Sequence, residues 1–137
     1  KIFYNYKKEK KKKQENLDFE IEFLEKLLQK DPNYVDVLYL LGELYTKKKR
    51  YQKALDIDLK LAELKPDDPI VFYNLACDYS LLNKKTLGLK ALEKAFKLGY
   101  DDVEYIFKDP DMKNLRESKR FYQVLEKYKR KISSDLT

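Results

Sequence analysis

Any nucleophilic or acid–base chemistry in this 137-residue chain would fall to one cysteine, Cys77, and to carboxylates, because there is no histidine. A nucleophile needs a base held beside it, most often histidine. The nearest ionisable neighbour of Cys77 is Asp78, and a carboxylate there raises a thiol's pKa and so opposes thiolate formation. A small, partly buried apolar residue is the simpler role for Cys77. One cysteine without histidine cannot furnish the usual zinc ligands, and no disulfide can close within the chain. The run from Asp109 to Arg120 fails as a calcium loop, since Lys113, Asn114 and Arg120 stand where an oxygen donor, a glycine and a glutamate are needed. Three glycines, at 42, 88 and 99, cannot build a phosphate-cradling loop. The pairs Asp56/Asp58, Asp67/Asp68 and Asp101/Asp102 lie at surface spacings or helix starts, where capping and the helix dipole account for acidic residues. The chemistry that remains is recognition, with no cofactor and no metal expected.

Charge offers one such surface. The net charge is +6, and the first fourteen residues hold seven lysines and one glutamate, so the excess sits in that segment. Lys7, Lys8, Lys10, Lys11, Lys12 and Lys13 can contact nucleic acid or an anionic membrane surface; the plainer role is a solvated or frayed lysine helix. A cytoplasmic home is expected. A lysine cluster here would also fit a membrane anchor upstream of residue 1, by the positive-inside rule.

The elements that must present these residues follow a period. Ile21, Leu55 and Leu89, and likewise Pro32, Pro66 and Tyr100, are spaced 34 residues apart. The shift lays 69–102 over 35–68 without a gap, placing Phe72 on Leu38, Leu75 on Leu41, Ala76 on Gly42, Tyr79 on Tyr45 and Leu89 on Leu55. Apolar residues at i, i+3 and i+7 mark amphipathic helices. Small residues suit close crossings, so Gly42 should face Ala54, and Ala76 should face Gly88. Lys65-Pro66-Asp67-Asp68-Pro69 ends one helix and starts the next, with Asp67 or Asp68 as cap. Helices are expected at about 17–30, at 103–108 before Asp109-Pro110-Asp111 breaks the register, and at about 117–131, where Phe121, Val124, Leu125, Tyr128 and Ile132 share one side.

This order of large, small, aromatic and proline positions resembles the tetratricopeptide repeat, a 34-residue helix–turn–helix unit. The resemblance departs at Asp58, where an aromatic is usual, at Tyr100, where proline is usual, and at Glu20, where a small residue is usual. It implies an all-α fold, a right-handed superhelical stack of antiparallel helix hairpins. The organisation would be a lysine-rich tail or frayed helix (1–14), a half repeat (15–34), two full units (35–68 and 69–102) and a degenerate unit with a capping helix (103–137).

The resemblance also implies where a partner would bind. First helices line the concave side, at Asp36, Tyr39, Glu43, Thr46 and Lys47 in one unit and Ile70, Tyr73, Cys77, Ser80 and Leu81 in the next. Tyr39, Tyr73 and Phe107 would form an aromatic ladder suited to a peptide or helix, or would pack against a terminal helix folded over them. Family members that clamp the C-terminal carboxylates of chaperone tails use basic and amide side chains at five slots, held here by Tyr39, Glu43, Asn74, Glu104 and Lys108. Glu43 would repel a carboxylate, so weak or absent binding to such tails is expected. The expected function is a non-catalytic scaffold for a protein or peptide segment, with an electrostatic adaptor working through the lysine tail as the alternative.

Overall fold

The computed structural model describes residues 2–136, with the side chains of residues 2–4, 132, 135 and 136 outside that description; the expected place of Ile132 on the apolar side of the last helix therefore lies outside the described residues. Among the described residues eight α-helices follow one another: α1 (Ile2–Lys30), α2 (Val35–Lys47), α3 (Tyr51–Leu64), α4 (Pro69–Leu81), α5 (Lys85–Lys97), α6 (Val103–Lys108), α7 (Lys113–Arg116) and α8 (Lys119–Leu136), with a 3-10 turn at Pro110–Met112. No strand occurs among the described residues. The fold is all-α, as the resemblance implies.

The helix ends are written in local chemistry. Asp68 caps α4 by accepting a hydrogen bond from the Ile70 amide at 2.9 Å, with Pro69 at the first turn where its missing N–H costs nothing. Asp102 caps α6 through the Tyr105 amide at 3.1 Å. At the other end, α2, α4 and α5 all stop with a left-handed residue, Lys49 (φ 60°), Asn83 (φ 57°) and Gly99 (φ 109°). In each the next amide reaches back five residues, Arg50 to Tyr45, Lys84 to Tyr79 and Tyr100 to Ala95, at 2.8 to 2.9 Å. This closes the helix by a Schellman turn. Lys49 and Asn83 sit one 34-residue period apart, so the stop signal repeats with the helices.

The chain divides into two compact units, Lys1–Ile57 and Asp58–Thr137. In the first, Ile21 of α1 packs with Val37, Leu41, Leu44 and Tyr45 of α2 and Ala54 of α3, and Leu17, Leu24, Leu27 and Leu28 complete the α1 stripe. Lys48 ties the same pair of helices from the rim, donating to Gln14 at 2.9 Å and pairing with Asp18 at 3.0 Å. The helix expected from about residue 17 begins at Ile2. Nothing between Asn5 and Asn16 breaks it, since lysine, glutamine and glutamate are all good helix formers.

In the second unit α4 and α5 form an antiparallel hairpin, and the 3-10 turn, α7 and α8 fold onto it. Gly88 is small for α7's sake. A Cβ there would meet Leu115 Cδ2 at 2.9 Å and Tyr79 Cβ at 3.3 Å, so Leu115 and Tyr79 are the side chains that crowd this position. On α8, Phe121, Val124, Leu125 and Tyr128 are buried and Lys119, Arg120, Lys127, Lys129 and Arg130 exposed, the pattern of a helix that ends a core.

Candidate functional site

In the first unit the candidate site borders the core shared by α1 and α2, on the side where Phe19, Phe23 and Leu40 stay exposed. Leu17, Ile21, Leu24 and Leu28 recur at helical spacing toward the core, whereas Phe19 and Phe23, four apart, lie off that stripe and are 73% and 57% exposed. Leu40 on α2 is 50% exposed. Together with Glu20, Leu24, Glu43, Leu44 and Lys47 they line an open cleft of about 320 Å³. Two large aromatics and a leucine left in water forfeit several kcal/mol of burial, at about 2 kcal/mol each. In the same unit the Tyr45 hydroxyl donates to Glu25 at 3.1 Å, tying α2 to α1, and burial together with Glu25 lifts its pKa to about 12. The Thr46 hydroxyl donates to the Gly42 carbonyl at 3.0 Å.

Of the expected groove positions on α2, Asp36, Glu43 and Lys47 are exposed, and Tyr39 and Thr46 half-buried. The cleft includes Glu43 and Lys47. Lys7, Lys8, Lys10, Lys11, Lys12 and Lys13 are exposed along the helical start of α1.

The corresponding face of α4 in the second unit is largely covered. Ile70 and Phe107 are each 49% exposed and Asn74 and Leu81 half-buried, but Tyr73, Cys77 and Ser80 are buried. Asp109 explains why. One of its carboxylate oxygens caps the 3-10 turn through the Asp111 amide at 2.9 Å, and the other accepts the Tyr73 hydroxyl at 2.5 Å with Cys77 Sγ at 3.7 Å. Arg116 holds the corner from outside, donating to the carbonyls of Ile106 and Asp109 at 2.8 and 2.6 Å. Tyr100 lies flat on Tyr73, ring centroids 4.4 Å apart, which accounts for an aromatic where the repeat usually has proline. Ser80 accepts the Leu115 amide at 3.4 Å, and its carbonyl accepts the Asn114 amide group at 2.8 Å. Phe107 stands edge-on to Phe121 at 6.2 Å.

Electrostatics here favour the protonated forms. Burial, then the charge of Asp109, pushes the Cys77 thiol well above its ordinary value, and burial likewise pushes Tyr73 far up. Asp111 is raised by burial and by Asp109. Cys77, Asp109 and Asp111 bring donor atoms within 4.8 Å of one another. A cation there would compete with the hydrogen bonds that Asp109 already accepts from Tyr73 and the Asp111 amide, so the geometry fits a bonded corner better than a ligand set.

Sequence reasoning missed two features. The Phe19/Phe23/Leu40 cleft was legible only as apolar residues spaced four apart beside the core stripe. The other is an acid pair: Asp58 on α3 and Asp78 on α4 are 5% and 3% exposed and hydrogen-bonded to each other, and Asp78 Oδ2 lies buried without a partner. Burial first, then Asp58, raises the Asp78 pKa strongly, so the pair holds a proton at neutral pH. The signal was present, because Asp58 falls on the buried row of Ala54, Leu55 and Leu61.

Comparison with known proteins agrees with the fold. Residues 21–76 match the family model described as a tetratricopeptide repeat. A chloroplastic protein of Arabidopsis thaliana is 39% identical over 90 residues, 64% of this chain and 27% of that protein, so the chain spans about a quarter of that relative's length. Among solved structures, MamA 41-end from Desulfovibrio magneticus RS-1 superposes with a TM-score of 0.62 at 23% identity, over 83% of this chain and 67% of that one. A MamA RS-1 ArsTM double mutant gives 0.62 at 21%, over 87% and 69%. At such identities the likeness is one of fold. No described helix is long and apolar enough to cross a membrane.

Proposed function

We propose that this chain, a carrier of tetratricopeptide repeats, is a non-catalytic scaffold that docks a helical segment of a protein partner in the cleft between α1 and α2. The observation that carries this reading is the exposed trio Phe19, Phe23 and Leu40, rimmed by Glu20, Glu43 and Lys47. Apolar knobs with a charged rim are what an amphipathic helix needs for affinity and register. Asp36, Tyr39 and Thr46 extend the same helix as candidate contacts. In the second unit Ile70, Asn74 and Phe107 are the accessible candidates, while Tyr73, Cys77 and Ser80 serve by fixing α4. Fold alone does not name the partner.

Crosslinking with mass spectrometry in lysate of the source cells tests the reading. Partner crosslinks should map to α2 and the adjoining face of α1, and should disappear in a Phe19→Ser, Phe23→Ser, Leu40→Ser variant whose helicity is unchanged. Capture that survives the triple substitution would refute the cleft as the docking site.

A further inference from the structure

We propose that the helix seated along this cleft comes from a second copy of the chain: two α1 helices pair antiparallel about a twofold axis near Glu15, the lysine-rich turns of each lying on the Phe19/Phe23 edge of the other. This rests on the cleft being a docking site and names its occupant.

The first support is charge. Between Lys7 and Lys13 α1 carries six lysines and one glutamate; between Glu15 and Glu25 it carries Glu15, Asp18, Glu20, Glu22 and Glu25 and no basic residue. The helix is continuous through both blocks, so the block centres are held roughly 15 Å apart at 1.5 Å per residue. Within one chain only the residues at their boundary, Lys11 and Lys12 with Glu15, lie within reach across the two blocks; Asp18 pairs with Lys48 and Glu22 with Lys26, while the lysines from Lys7 to Lys10 lie beyond reach of the acidic block. Like charges at i,i+3 and i,i+4, such as Lys8/Lys11 and Lys8/Lys12, oppose the helix that bears them. An antiparallel second copy sets each basic block against an acidic one and does so twice, as an isologous contact must.

The second support is the register of the face. Lys7, Lys8, Lys11, Lys12 and Glu15 border one side of α1, and steps of three and four continue that side through Phe19, Glu22 and Phe23. A twofold axis near Glu15 places Lys12 against Phe19 and Lys8 against Phe23 and Glu22. Lysine stems cover apolar surface while their ammonium groups reach outward, here toward Glu20 and Glu22. The chain already uses lysine over aromatic rings: Lys53 on Tyr45 at 5.6 Å, Lys94 on Phe72 at 5.8 Å and Lys127 on Tyr128 at 5.3 Å. The incoming segment has the required form, being helical and exposed from Asn5 to Asn16.

Sedimentation of the full chain decides it. At about 50 mM salt the mass should be twice the 16.5 kDa of one chain, falling toward one chain at about 500 mM as screening grows. A Lys8→Glu, Lys11→Glu, Lys12→Glu variant should be monomeric, and so should a Glu15→Lys, Glu20→Lys, Glu22→Lys variant; circular dichroism should show both as helical as the parent. Mixing the two should restore a pair, because each then presents the charge the other lacks. The proposal falls if the parent is monomeric at low salt, if either reversal leaves the dimer intact, if the mixture fails to pair, or if the lysines of a monomer bind duplex DNA or phosphatidylserine vesicles. A monomeric parent whose partner crosslinks still require Phe19, Phe23 and Leu40 would overturn the second copy as occupant and leave the cleft standing.

Discussion

Replacing Asp78 by asparagine should remove a pH dependence that the buried acid pair imposes on stability. In the unfolded chain Asp78 ionises in the ordinary carboxyl range; in the fold, burial and Asp58 keep it protonated well above that range. Folding therefore takes up a proton. The stabilisation is complete below the ordinary carboxyl pKa and is lost progressively as pH rises toward the raised folded-state value. One extra proton bound corresponds to a slope of about 1.4 kcal/mol per pH unit, hence a loss of about 3 kcal/mol between pH 5 and pH 7. The asparagine side chain keeps the shape and donates an amide N–H to an ionised Asp58 without needing a proton. The variant should match the parent near pH 5, exceed it by about 2 to 3 kcal/mol near pH 7, and show a much flatter profile. Urea titrations followed by circular dichroism at several pH values supply the measurement. Asp111, also raised, adds a smaller slope of the same sign that persists in the variant, so the difference between the two proteins isolates the pair. A parent whose stability is flat from pH 5 to pH 8, or a slope unchanged by Asp78→Asn, would refute proton sharing between Asp58 and Asp78.

Three further outcomes follow from named contacts. Lys49 holds a left-handed backbone at φ 60°, where a side chain costs about 1 kcal/mol that glycine avoids, so Lys49→Gly should raise the thermal midpoint by a few degrees and a lowered midpoint would contradict the Schellman stop. Tyr73→Phe strips a hydroxyl from Asp109 Oδ2 and should cost about 1 to 3 kcal/mol in urea unfolding, the penalty of a buried acceptor left without its donor; an unchanged midpoint would show that Asp109 finds another donor. Cys77 is buried beside Asp109 with its thiol pushed up, so at pH 8 it should react with a thiol reagent at least about a hundredfold more slowly in the native chain than in denaturant, and equal rates would place it at the surface.

The fold was legible because each level of the sequence repeats the same instruction. The 34-residue spacing fixes the helices, and Asp68 and Asp102 mark starts that the structure uses as caps, with Pro69 in the first turn of α4. Helix 103–108 and the break at Asp109-Pro110 fall where the register predicts. Less legible was what fills each face, since periodicity says that a side chain points away from its own hairpin but not what meets it there. Tyr73 holds a groove position by register, yet the turn after α6 brings Asp109 onto its hydroxyl and Tyr100 onto its ring. That is a pairing across 36 residues, longer than the repeat that organises the chain. Asp58 and Asp78 show the same limit from the other side. Each alone reads as a polar intrusion on an apolar row, and only their meeting across α3 and α4 makes a proton the missing partner. Phe19 and Phe23 lie off the core stripe of Leu17, Ile21, Leu24 and Leu28, so the apolar period alone does not single them out. On α1 the second stripe carries the exposed aromatics. The place to look for function in this chain is therefore α1, one face of which holds both the exposed aromatics and the segregated charge.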